Sequence, residues 1–442
     1  MPARETWATR LGFILAAVGS AVGLGNIWRF PFLTGEAGGA AFLVVYLLFI
    51  AVVGLPVLLV EFVIGRRSER NPVNAFERLG KPAWTFIGAI GALAGFIILS
   101  YYSVVGGWVI QYIIGSLSGA YFAAPEEYFL STASGTNAVV FHAVFMGLVA
   151  GVVALGIRDG LERAAKLMVP SVIVLLVALA GYGATLDSAG DAYAYYLSPD
   201  FGEIAANVFS IIPDAAGQAF FTLSLGMGVM ITYASYLGED RNLLKDGLTV
   251  VTIDTFIAFL AGLVVFPFLF AQGTDPGSGG AGAVFISLAA AFAELPAGGI
   301  IGFVFFVMLG IAALTSAFSI LEVIVSYAID NFGVDRKVAT VAIAGVLFVV
   351  GIPTALDLTY LDTYDLFANN ILLILGGTLM AIFVGYAYAE DSLAELAQGR
   401  GSDGAFETYW IWMLRIPVIL LLLVTLALGV QDYIGFLQET YF

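Results

Sequence analysis

Apolar windows long enough to cross a lipid bilayer recur from one end of this 442-residue chain to the other. A helix traverses the hydrocarbon with about 20 apolar residues, and stretches such as Ala41–Val60, Leu260–Ala271 and Leu414–Val430 belong to such windows. With 60% of its residues hydrophobic, the chain holds more apolar surface than one soluble core could bury, so lipid must serve as its solvent. Eleven windows, centred near Val18, Ile50, Tyr101, Leu148, Leu175, Leu225, Phe259, Leu314, Leu347, Ile374 and Leu421, predict an all-α integral membrane protein of eleven spans. They are numbered here in chain order.

The 17 Lys and Arg residues orient these spans. Fifteen lie before span 1 (Arg4, Arg10) or in loops after even-numbered spans, such as Arg66, Arg67 and Arg70 after span 2 and Arg241 and Lys245 after span 6. Arg29, inside span 1, and Arg415, near the start of span 11, are the other two. Short basic loops stay cytoplasmic, so the expectation is a multi-pass protein of the cell membrane with its N-terminus inside and its C-terminus outside. The net charge of −16 and the acidic loops Glu126-Glu127 and Asp187–Glu203 on the other side suggest a high-salt habitat. The absence of Cys excludes disulfides. Span 1 is too long, and too polar in its second half, for a signal peptide.

Two spans are interrupted. Span 1 reads Gly19-Ser20-Ala21-Val22-Gly23-Leu24-Gly25-Asn26-Ile27-Trp28-Arg29-Phe30-Pro31, and span 6 reads Phe221-Thr222-Leu223-Ser224-Leu225-Gly226-Met227-Gly228. A single Gly-x-Gly would be read as close helix packing. Glycine breaks with polar neighbours, five spans apart, point instead to an internal repeat of five helices. Five is odd, so the second copy is inverted, and matching broken helices mark a transport site. The expected units are 1–184 (spans 1–5), 185–390 (the inverted spans 6–10) and 391–442 (span 11). Unwound backbone at membrane depth requires a polar filling.

From Arg4-Glu5-Thr6-Trp7 through Gly19 to Pro31, the chain resembles the neurotransmitter:sodium symporter family, whose members include leucine-transporter-type bacterial carriers. The resemblance resumes at Gln218 to Tyr236, at Ala312-Ala313-Leu314-Thr315-Ser316 and at Leu361-Asp362-Thr363-Tyr364-Asp365. It implies a leucine-transporter-type fold and a sodium-coupled symporter of small amino acids, with sodium, the amino acid and the lipid bilayer as partners and no nucleic acid.

The resemblance also implies two sodium sites built of hard oxygens. The first would use the Ala21 carbonyl, the Asn26 amide oxygen, Thr222, Asp254 and the substrate carboxylate. The second would use the carbonyls of Gly19, Val22 and Ala312 with the hydroxyls of Thr315 and Ser316. Many relatives carry Asn where this chain has Asp254 and balance the charge with chloride or a Glu one turn later, which here is Ala258. A fixed carboxylate would offset that charge, so no chloride is expected, and Asp254 could take a proton once sodium leaves. The competing reading of Asp254 is a cap at the start of span 7.

The same resemblance lines the substrate pocket with Ala21, Leu24, Gly25, Ile98, Tyr102, Phe221, Thr222, Ser224, Met227, Ser316 and Ile320. Tyr102 would bind the substrate carboxylate, helped by the half-helix beginning near Gly25. Relatives that carry monoamines have Asp where this chain has Gly23, which favours an intact zwitterion with a leucine-like or aromatic side chain. Met227, with its flexible thioether, suits varied side-chain shapes. An outer gate would set Arg29 opposite Asp365 over a lid of Tyr102 and Phe221. An inner gate would pair Arg4 with Asp330, with Trp7 under span 1 and Tyr236 in support. Glu61 either bonds the unwound backbone or is solvated at the interface. Gly160, ten residues before Pro170, matches the family's unwinding point in span 5, though any Pro-kinked helix could show the pair. His142 is read as a packed or lipid-edge residue rather than a proton relay.

Three further readings remain at this stage: a proton-coupled permease of the same fold, a non-transporting amino-acid sensor, and a sodium leak channel. The permease is disfavoured by the hydroxyls of Thr315 and Ser316. An enzyme is not expected, because no nucleophile-base pair, phosphate loop or metal cluster stands out.

Overall fold

The computed structural model describes residues 6–273, 282–399 and 404–441. Among the described residues ten helices are long and apolar enough to cross a membrane, and a bent pair, Arg10–Ala21 with Gly25–Glu36, makes the eleventh span with a 48° bend. After this span 1 come Ala40–Ser68, Pro82–Ser118, Thr136–Val153 and Ile157–Gly183 as spans 2 to 5. Span 6 is the helix Phe201–Thr222, continued past a break by Val229–Ala234. Leu243–Ala271, Gly298–Phe332, Arg336–Leu356, Leu358–Ala387 and Ala405–Tyr441 are spans 7 to 11. Each predicted centre falls within its span; the one at Leu225 falls in the break of span 6.

The two breaks have different local causes. In span 1 the helix stops at Ala21 and Val22 turns extended (φ −79°, ψ 97°). The last carbonyls of a helix lack partners within it, so this stop opens the carbonyls around Gly19 to Val22 inside the bundle. In span 6 the chain turns through left-handed Gly226 (φ 79°) and Gly228 (φ 75°). A Cβ at Gly226 would overlap the Leu373 carbonyl, so only glycine fits. Ser224 is also left-handed (φ 53°), a conformation costing a non-glycine residue about 1 kcal/mol. Its hydroxyl offsets that by donating to the Ser20 carbonyl (3.0 Å), which ties one break to the other.

Spans 3 and 8 lie along one another, and the first half of span 1 packs against spans 5, 7 and 8, so both breaks sit in the middle of the bundle. Span 11 lies outside, against span 10. His142 is fully buried and joins spans 3, 4 and 9: its ring nitrogens meet Ser103 Oγ (2.9 Å) and the Phe348 carbonyl (3.0 Å), and its ring stacks on Phe348. That removes the lipid-edge alternative.

Candidate ion and substrate site

Asp254 lies in the middle of span 7, far from the cap at Asn242, whose side chain accepts from Lys245 N. The carboxylate is fully buried beside the break in span 1. It accepts from Asn26 Nδ2 (2.8 Å) and from Thr222 Oγ1 (3.0 Å), and Asn26 Nδ2 also donates to Thr222 Oγ1 (2.8 Å). Among the described residues no Lys, Arg or His forms an ion pair with it. A buried carboxylate held only by neutral groups needs a cation or a proton. The oxygens collected here are the donors a small hard cation prefers. Asn26 turns its nitrogen toward Asp254, because an anion attracts the donor end of an amide. Its oxygen accepts from Gly23 N (3.1 Å).

Across the break, Thr315 faces Gly19: a Cβ added to Gly19 would lie 3.4 Å from Thr315 Cβ. The Thr315 hydroxyl donates to the Ala312 carbonyl (2.9 Å) in its own helix. Such back-bonding spends the proton and leaves the oxygen lone pairs directed elsewhere. Gly19, Val22, Ala312, Thr315 and Ser316 are all buried here.

Several of the residues expected to line the pocket meet around the break in span 1. Leu24 N donates to the Tyr102 hydroxyl (3.1 Å). A Cβ on Gly23 would lie 2.8 Å from that hydroxyl and 3.0 Å from Ser316 Oγ, and one on Gly25 would lie 2.6 Å from the Phe221 ring. Ile98, Met227 and Ile320 are buried, the last two beside Gly95 on span 3. Tyr102 is thus bonded to the break in span 1.

Above the pocket, Arg29 and Asp365 line one cavity of about 320 Å³ together with Glu36, Asp214, Asp362 and Phe436. They form no ion pair with each other. Arg29 Nη1 donates to Gln218 Oε1 (3.0 Å) and its guanidinium lies 5.5 Å from the Phe221 ring centroid. Asp365 accepts from Asn369 Nδ2 (2.7 Å). The two charges line one cavity but each hydrogen-bonds an uncharged neighbour, with the carboxyls of Glu36 and Asp214 also in the field of Arg29.

On the face carrying the basic loops the bundle is sealed. Trp7 Nε1 donates to the Tyr233 carbonyl (2.9 Å), and its ring meets Phe13, Tyr233 and Tyr236 edge-on. Tyr236 donates to Glu322 Oε1 (2.9 Å), which pairs with Arg336 through Oε2 (2.6 Å). Asp330 accepts from Asn71 Nδ2 (2.8 Å); the expected partner Arg4 lies outside the described residues. Glu61 is buried and accepts from Gly226 N (2.7 Å) and Ile231 N (3.3 Å), holding the break of span 6, so it is not solvated. Gly160 falls in a π-helical stretch, Ile157–Glu162, at the start of span 5, and Pro170 lies inside the α-helix that follows.

Four contributors escaped the sequence. Ser20 donates to Ser224 Oγ (3.1 Å). Gln218 connects Arg29 to the Gly25 carbonyl (2.9 Å), and its position one turn before Thr222 in an apolar helix was the available signal. Glu162 accepts from Ala8 N (2.8 Å) and Thr9 Oγ1 (3.0 Å). Glu322 is a buried carboxylate in a span, which is itself a warning sign.

Paired broken helices whose opened backbone surrounds a buried carboxylate and hydroxyls define an ion-coupled secondary transporter. The chain belongs to the sodium:neurotransmitter symporter family, whose profile matches residues 4–128 and 131–441. It is 41% identical to MhsT, and the crystal structure of MhsT in complex with L-phenylalanine matches it with a TM-score of 0.89, over 97% of this chain and 100% of that one. It is 35% identical to the sodium-dependent transporter YhdH of Bacillus subtilis, over 97% of this chain and 98% of the relative. A sodium-dependent transporter of Methanocaldococcus jannaschii is also 35% identical, over 94% and 89%. The protein is thus a multi-pass membrane protein of a sodium-dependent family, and that family and fold are those of transporters, not enzymes.

Proposed function

We propose that this protein carries hydrophobic or aromatic amino acids across the cell membrane together with sodium, by alternating access around the two breaks, without chloride. The observation that carries this reading is Asp254, a fully buried carboxylate whose hydrogen-bond partners among the described residues are Asn26 and Thr222. Sodium there, with the Ala21 carbonyl and the substrate carboxylate as further ligands, would balance it. A second sodium would sit among Gly19, Val22, Ala312, Thr315 and Ser316. The fixed charge of Asp254 would offset one of the two cations, the role that chloride or another carboxylate has in relatives with Asn there, so no chloride is expected.

The substrate class rests on the pocket. Ile98, Met227, Ile320 and Phe221 supply apolar walls, and the tight seat of Gly23 between Tyr102 and Ser316 leaves no room for an acidic side chain to receive a bare amine. The complex of MhsT with L-phenylalanine agrees in class. In the cycle, sodium and amino acid enter from the cavity under Arg29, Phe221 closes over them, and the seal of Trp7, Tyr233 and Tyr236 opens to release them. The repeats 1–184 and 185–390 would rock against each other, with span 11 added at 391–442, the N-terminus in the cytoplasm and the C-terminus outside.

The test is uptake of labelled phenylalanine and leucine into proteoliposomes under a sodium gradient, a potassium gradient, and a sodium gradient with gluconate replacing chloride. Uptake that needs sodium and ignores chloride is expected. Equal uptake in potassium, a requirement for chloride, or binding without any uptake sinks the reading.

A further inference from the structure

We propose that Arg415 holds the phosphate of one anionic phospholipid in the leaflet on the basic-loop side, clipping span 11 to span 10. Two π-helical stretches, Phe383–Ala387 at the end of span 10 and Leu414–Val418 in span 11, pack on each other there. Pro417 lies inside the second and removes one backbone donor. The bulge at the end of span 10 opens the Gly385 carbonyl, which accepts from Arg415 Nε (2.7 Å), and Tyr386 donates to the Arg415 carbonyl (3.0 Å). The guanidinium carbon lies 5.5 Å from the Tyr386 ring centroid and 5.6 Å from that of Trp412. These contacts fix the plane of the guanidinium and use only Nε. Both terminal nitrogens are left without a hydrogen bond or a carboxylate among the described residues.

The depth of this group identifies its partner. Span 10 ends at Ala387, where Tyr388 leaves the helical conformation (φ −137°) before the short helix Ala389–Ala397, so Arg415, bonded to Gly385, stands beside the last turn of span 10, the depth at which hydrocarbon gives way to headgroups. Tyr386, Tyr409 and Trp412 are each more than half exposed around it, the pattern of an interfacial aromatic belt. An arginine presenting unpaired N–H groups to lipid is costly, and a rigid fork of two N–H groups matches a phosphate in bidentate fashion. The acidic residues at hand, Glu390 and Asp391, begin the short helix and do not pair with Arg415. Among the described residues no carboxylate takes the two terminal nitrogens, and a leaflet of anionic lipid supplies an external anion at this depth.

The test is native mass spectrometry of the full chain in neutral detergent with phosphatidylglycerol titrated in. One retained phosphatidylglycerol is expected, with affinity lowered about tenfold or more by Arg415→Gln and less by Arg415→Lys. Equal affinity in wild type and Arg415→Gln overturns the proposal. So does displacement of the lipid by excess inorganic phosphate, which would make this a free-anion site, and so does equal retention of phosphatidylcholine. Because Arg415→Gln also breaks the bond to Gly385, a second readout uses the wild-type arginine. Brominated phosphatidylglycerol should quench the Trp412 fluorescence, taken as the difference from Trp412→Phe, more strongly than brominated phosphatidylcholine at the same mole fraction. Equal quenching overturns the proposal independently of the variant's folding.

Discussion

Glu162 rests on Gly12: the carboxyl at the start of span 5 lies so close to the first turn of span 1 that a Cβ at position 12 would overlap it. The same carboxyl accepts from Ala8 N and Thr9 Oγ1, while Thr9 Oγ1 accepts from Gly12 N and caps the helix. Lys166, one turn on, pairs with it at 2.6 Å. Glu162 sits two residues beyond Gly160, so unwinding the start of span 5 would release the foot of span 1 as well.

Gly12→Ala should therefore loosen the sealed face. The displaced carboxyl costs the sealed state about 1–3 kcal/mol, which raises the population open on that face by roughly fivefold or more. The chain has no cysteine, so a single Cys at Ala16, which lines a small cleft between spans 1 and 5 with Ala165, reports directly. Faster maleimide labelling of Ala16→Cys with Gly12→Ala than without it is the expected result. Identical labelling rates would remove Glu162 from the gate.

Glu61→Gln tests the clamp on the other broken helix. Glutamine keeps the size but offers one acceptor oxygen where Gly226 N and Ile231 N now have two. One buried N–H left unpaired costs about 1–3 kcal/mol. A lower melting temperature of the purified protein is expected, with a larger drop for Glu61→Ala. An unchanged melting temperature would mean that the break of span 6 is held by other contacts.

The spans were legible because each is a long apolar window, and the breaks because glycine recurs beside Asn26 and Ser224. Pairing between distant side chains was not. Arg29 meets Gln218 rather than Asp365, and the buried Arg66 meets Glu395 across 329 residues of sequence. Hydropathy places such groups at a depth but says nothing of their azimuth around a helix, and azimuth decides which neighbour they touch. Glu162 was hidden for the same reason: it lies near a basic loop, where solvation would satisfy it equally well.

Asp254→Asn removes the one fixed charge at the Asn26–Thr222 cluster while keeping its size. If that charge holds sodium, the sodium concentration giving half-maximal uptake should rise by about tenfold or more, since a buried charge-assisted contact is worth about 1.5–3 kcal/mol. Sodium titration of phenylalanine uptake measures it, with and without chloride. An unaltered sodium dependence would place the cation elsewhere.

Tyr102→Phe separates substrate binding from ion binding. The hydroxyl accepts from Leu24 N at 3.1 Å, in a pocket wall that is almost fully buried. As a hydroxyl it can still donate its proton to a substrate carboxylate. Phenylalanine at this position strands the Leu24 N–H and deprives the carboxylate of one donor, a combined loss of about 1–3 kcal/mol. Amino-acid affinity should fall by roughly tenfold at saturating sodium. If the substrate carboxylate also completes the sodium site at Asp254, sodium affinity measured with the amino acid present must fall too, whereas sodium binding in its absence should be unchanged. Scintillation proximity binding of labelled phenylalanine across a sodium series reads the first loss and the coupling. A variant that loses amino-acid affinity at every sodium concentration by the same factor, with no shift in the sodium midpoint, would mean that substrate and ion occupy separate compartments and that Asp254 binds sodium without help from the cargo.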